Sequence, residues 1–200
     1  MLRSKKEEEG FTLVELTVVI ALSGIAAIII FTVFNTSFLN YLGLQQDSSA
    51  FDNLTRSSQR IATVFRGITD ITIANNNDVT FYSYFSPNDT YVSLVRYYVA
   101  GPKPSLYADV TPMDGNPPNG TLLTAKSRTY TIIENFHQEP LVKTFEYLDS
   151  SGVAIPQPIT DLYTIKGIQV NLSIVITGPK YNDIRSNSLT VSLRNRKTNL

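Results

Sequence analysis

Between Phe11 and Phe34 the chain reads FTLVELTVVIALSGIAAIIIFTVF, an apolar run broken only by a few Thr and Ser, one Gly and a single acid, Glu15. At about 1.5 Å of rise per residue, a helix over this run is roughly 36 Å long, enough to cross a hydrocarbon core of about 30 Å. The run therefore predicts one membrane-spanning helix over 11–34, in contact with lipid. Arg3, Lys5 and Lys6 lie upstream, and positive charge beside a span favours the cytoplasmic side. The N-terminus is expected in the cytoplasm and the rest of the chain outside it.

Glu15 is the residue that needs a reason. An acid within an apolar span is costly and points to function. Here the cost is softened, because Glu15 lies about 6 Å of helix beyond Phe11, near the interface. It also sits in the first helical turn, where the positive end of the helix dipole favours an anion. A conventional secretory signal ends in a small-x-small site; Ala21-Leu22-Ser23 is the nearest such pattern, and it leaves Glu15 unexplained. A cut between Gly10 and Phe11 explains it better. The new α-amine, with a pKa near 8, would appear at the edge of the apolar phase with Glu15 as counter-ion. Such a pair can close within one chain or between staggered neighbours, where it would fix the axial register of packed helices.

Gly10-Phe11-Thr12-Leu13-Val14-Glu15, followed by the apolar run, resembles the processing signature of type IV prepilins and type II secretion pseudopilins. The resemblance implies a prepilin peptidase that cuts after Gly10 and N-methylates Phe11. It also implies that Phe11, Thr12 and Glu15 serve subunit assembly, with Glu15 recruiting the next subunit. Glu7-Glu8-Glu9 departs from the usually more basic leaders of the family. The resemblance implies partners as well: prepilin peptidase and other pilin or pseudopilin subunits.

Beyond the span, Asn35 to Gln46 carries no charge. Phe51, Leu54, Ser58, Ile61, Phe65 and Ile68 then recur every three or four residues, the spacing of one buried helical stripe. An amphipathic continuation of the helix over 35–68 is expected. After Gly67 the period changes to two. Strands are predicted at Ile71–Ala74, Val79–Phe85, Tyr91–Val99, Thr129–Ile133, Lys143–Leu148, Gly167–Thr177 and Leu189–Leu193, with turns at Asn75–Asp78, Ser86–Asp89 and Asp149–Gly152. Gly101 to Gly120 holds five prolines and reads as a long surface loop. The expected fold class is α+β and pilin-like: leader 1–10, span 11–34, amphipathic helix 35–68, and a β-rich domain 69–200 with an antiparallel meander covered on one face by the helix. Asn135-Phe136, Phe145-Glu146-Tyr147, Asp149–Gly152, Ile165–Leu172 and Leu193-Arg194-Asn195 are similar in order to J-type minor pseudopilins.

Composition narrows the chemistry. With 17 basic and 17 acidic residues, no positive surplus points to nucleic acid. There is no Cys and a single histidine, His137, so thiolate or multi-histidine metal sites are excluded. No triad forms around His137, and Asp114-Gly115-Asn116 lacks the spaced oxygen ligands of a calcium loop. No catalytic residue, cofactor or metal is expected. Tyr82, Tyr84, Tyr91, Tyr97 and Tyr98 read as cross-strand pairs. The expected function is a minor pilin or pseudopilin subunit of a pilus, secretion or DNA-uptake system. The alternative is a membrane-anchored adhesin-like domain that does not polymerise.

Overall fold

The computed structural model describes residues 12–177 and 182–193. Helix α1, Leu13–Arg66, is followed by eight strands: β1 Asp70–Ala74, β2 Asp78–Ser83, β3 Ser93–Ala100, β4 Ser105–Pro112, β5 Arg128–Ile133, β6 Phe145–Leu148, β7 Gly167–Thr177 and β8 Asn182–Ser192. The strands form two antiparallel sheets, a five-stranded one in the order β1-β2-β3-β4-β5 and a three-stranded one in the order β6-β7-β8. This is an α+β, pilin-like fold. The chain forms two compact units, residues 1–45 and 46–200.

In the second unit the helix buries Leu54, Ser58, Ile61, Ala62, Val64 and Phe65, and Ile68 follows just past its end. These positions fall on one stripe because residues three and four apart share a helix face. Phe51, expected on that stripe, is 46% exposed; the buried stripe begins one turn later. Inward residues of both sheets meet the helix in a single core, with Phe81, Val95 and Leu106 from the larger sheet and Phe145, Ile168 and Val170 from the smaller. Phe65 is the hub. Its ring lies 5.1 Å from Phe81, 5.5 Å from Tyr97 and 6.1 Å from Phe145, so one helical side chain joins both sheets. The smaller sheet also grips the helix by polar contacts: the Arg185 guanidinium donates to the Asp47 carboxylate at 2.7 and 2.9 Å, and the Asn187 amide donates to the Ser58 hydroxyl at 2.9 Å. The Arg185 hydrogen bonds hold the Asp47 carboxyl below its ordinary pKa.

The segment Gly101–Gly120 is not the surface loop its prolines predict. Strand β4 occupies its middle, paired over eight residues with β3 and on its other side with β5. The prolines explain the outcome by position: Pro104 directly precedes the strand and Pro112 is its last residue. A residue without an N–H is tolerated at a strand's end although it breaks the middle of a ladder. Of the other three, Pro102 falls in the turn before the strand and Pro117 and Pro118 in the turn beyond. There Asp114 accepts from the Thr121 N–H and hydroxyl, both at 2.7 Å, which makes Asp114-Gly115-Asn116 a turn.

Two short segments tie the sheets together. In the turn between β1 and β2, the Asn75, Asn76 and Asn77 carbonyls accept from the Tyr147 hydroxyl, the Phe145 N–H and the Val99 N–H respectively. The second tie is Asn135, with φ of 51°. Just before it, Ile133 still pairs with Leu106 of β4. Just after it, Phe136 bridges to Ile174 of β7, and the His137 N–H donates to the Ser173 carbonyl at 2.7 Å. The left-handed residue thus lets the chain leave one sheet and join the other. Asn tolerates this conformation because its short side chain hydrogen-bonds locally, whereas a β-branched residue does not. Asn135→Gly is expected to retain stability and Asn135→Val to lose about 1–2 kcal/mol, measured by urea unfolding; equal stabilities would refute the pivot.

Tyr97 gives a test of the opposite sign. It is fully buried, and its hydroxyl has no hydrogen-bond partner among the described residues. Burial pushes its phenol pKa up, opposed only weakly by the nearby Arg60. Because an unsatisfied buried hydroxyl costs roughly 1–3 kcal/mol, Tyr97→Phe should leave the unfolding midpoint unchanged or raise it. A loss above about 1 kcal/mol would mean the hydroxyl is bonded.

Candidate assembly and processing site

Helix α1 begins one residue after Thr12, so the described part of the GFTLVE motif, Thr12 to Glu15, covers the residue before the helix and the start of its first turn. The Thr12 N–H donates to Glu15 Oε2 at 3.0 Å and the Thr12 hydroxyl donates to the same oxygen at 2.9 Å. In return the Glu15 N–H donates to the Thr12 hydroxyl at 3.3 Å. This is a reciprocal capping box: a Thr before the first turn and an acid three residues later satisfy each other's backbone donors. Thr-x-x-Glu is legible as such a box in the sequence. The spacing thus gives Glu15 a second job beside its charge. Gly10 and Phe11, the expected cut and the expected new terminus, lie outside the described residues.

The consequence for Glu15 is positional. Thr12 holds one carboxylate oxygen at the N-terminal end of the helix, one residue from Phe11 in sequence.

The rest of the first unit is a helix whose large apolar side chains face outward. Leu13, Ile20, Leu22, Ile28, Ile30, Phe31 and Phe34 are each 60% exposed or more. Two of its hydroxyls are turned inward onto the backbone: Thr17 donates to the Leu13 and Val14 carbonyls, and Thr32 to the Ile28 carbonyl at 2.8 Å. A hydroxyl satisfied by its own helix can sit in a phase without water. Among the described residues this is the one helix long and apolar enough to cross a membrane, and its apolar surface fits membrane anchoring.

Among its described residues, the β-rich domain holds no candidate metal cluster: no three His, Asp or Glu side chains come together to hold an ion. His137 is half-buried at the switch between the sheets, where its backbone is used. The tyrosines divide. Tyr97 is in the core, while the Tyr98 ring lies tilted against that of Tyr107, centroids 5.7 Å apart, on the outer sheet face and under the Arg96 guanidinium. Arg96 is itself paired with Asp78.

Residues 5–31 match the family described as the prokaryotic N-terminal methylation motif. No curated protein matches the chain significantly. The motif and the long apolar helix behind it fit a type IV pilin or pseudopilin. More narrowly, the motif supports a pilin-class substrate of prepilin peptidase.

Proposed function

We propose that this chain is a minor pilin or pseudopilin, cut between Gly10 and Phe11, methylated on Phe11 and assembled into a filament through residues 11–34. The observation that carries the reading is GFTLVE heading an apolar helix, with residues 5–31 matching the methylation motif. In this reading the leader 1–10 stays cytoplasmic, residues 11–34 reside first in lipid and then among neighbouring helices, and the domain from 69 to 200 lies outside the membrane. The role is structural, with no catalytic residue. The order of Asn135-Phe136, Phe145-Glu146-Tyr147 and Asp149–Gly152 supports a J-type minor subunit within the class. Those residues fall at the sheet switch, on β6 and in the turn after it.

Assembly depends on charge. The Glu15 carboxylate, held by Thr12, neutralises the Phe11 amine of an adjacent subunit, which removes two charges from the apolar phase. N-terminal sequencing and intact mass of the membrane-extracted protein test the processing step. They are expected to give a chain that starts at Phe11 and carries one added methyl group. A chain starting at Met1, or after Ala21-Leu22-Ser23, would overturn the reading.

A further inference from the structure

The inward face of the larger sheet extends past the helix, and the part left uncovered forms a cleft of about 400 Å³, within the usual range for ligand sites. Its floor is apolar. Phe85 and Tyr130 lie with ring centroids 5.1 Å apart, beside the buried Val110. Lys126 and Arg128, both exposed, stand on the rim. Neither makes an ion pair or a side-chain hydrogen bond among the described residues. A third cation, Arg60, places its guanidinium 4.8 Å from the centre of the Phe85 ring.

Two of the cleft's other polar groups are already committed. The Asp89 carboxylate accepts from the Phe85 and Ser86 N–H groups at 3.1 and 2.8 Å, so this one acid is turned onto its own loop. The Ser127 hydroxyl is bonded to that of Thr111 at 3.0 Å. A ligand therefore meets an apolar floor and unpaired positive charge on the rim, with the one acid of the cleft engaged by its own loop. By contrast, the cleft between the helix and β5 presents both Arg56 and Glu134, one charge of each sign.

We propose that the cleft beside Phe85 and Tyr130 docks an acidic segment of a partner protein, one apolar side chain filling the floor and flanking carboxylates pairing with Lys126 and Arg128. Complementary charge at such a rim sets partner choice and encounter rate, and an apolar anchor in a pocket supplies most of the affinity. The proposal does not depend on Glu15 or on filament assembly, since every residue it uses lies in the second unit.

The test uses the full chain in non-ionic detergent and two labelled peptides, one alternating Glu with Phe and Leu, the other carrying Gln in place of Glu. Fluorescence anisotropy should show saturable binding of the Glu peptide, little binding of the Gln peptide, and weakening with added salt. The double variant Lys126→Glu, Arg128→Glu changes two exposed side chains and should bind at least about tenfold more weakly, with an unaltered circular dichroism spectrum. Equal binding of both peptides, no binding of the Glu peptide, an unchanged affinity in the double variant, or preferential binding of an oligogalacturonate would each overturn the proposal.

Discussion

Replacing Glu15 by alanine is expected to leave membrane insertion and removal of the leader intact while sharply reducing incorporation into filaments. The two halves of this result have separate physical causes. Insertion depends on the apolar run, which loses a charge and becomes a better span. In the proposed reading, processing is directed to the Gly10–Phe11 junction, which the substitution leaves in place. Assembly is different, because the Phe11 amine of the next subunit would enter an apolar environment without a counter-ion. Glu15→Gln separates the functions further. Its amide oxygen can still accept from Thr12 and so preserve the capping box, but it cannot neutralise an amine. If Glu15→Gln assembles normally and Glu15→Ala does not, helix capping is the residue's role and the charge-pair account fails. Fractionation of cells into membrane and sheared filaments, with immunodetection of this chain, gives the readout.

The largest loss of stability is expected at Phe65. The side chain is fully buried and touches aromatic rings from β2, β3 and β6. Phe65→Ala removes the contact that joins helix to both sheets at once. Truncations of this kind cost about 3–5 kcal/mol, a large share of the roughly 5–15 kcal/mol that a domain has. Phe65→Leu should lose distinctly less, since it keeps most of the volume. Urea unfolding followed by tyrosine fluorescence measures both. A Phe65→Ala loss under about 1 kcal/mol, the usual surface-to-average range, would show that the helix is held mainly elsewhere.

Much of this was readable from the chain itself, for local reasons. The span is a run of apolar residues, and most strands announce themselves by alternation, as β7 does with Ile168, Val170, Leu172, Ile174 and Ile176. Where sequence reasoning fell short, the deciding fact was position in space. Five prolines argued against a strand at β4, yet two of them lie at its ends, where their missing N–H does no harm. Phe51 has the right spacing for the buried stripe but falls a turn before the core begins. Asn135 carries no composition signal for a change of sheet, because its role depends on which strands flank it. The Thr12–Glu15 cap was a legible four-residue pattern that a charge argument obscured. The cleft beside Phe85 draws its residues from several separated stretches of chain, so no window of sequence contains it.

The polar rungs between the helix and β8 bear on force. Tension applied through residues 13–45 of a subunit enters the second unit along the helical backbone, and Asp47, held by Arg185, is among the first residues it meets. Asn187 holds Ser58 three helical turns further on. Two attachments spaced along one strand distribute a pull between them, and the aromatic knot at Phe65 backs them up deeper in the fold. If the chain is a filament subunit as proposed, a strand riveted to its helix at separated points would resist shear better than one that can be peeled from a free end, the quality a thread under tension demands of each of its links.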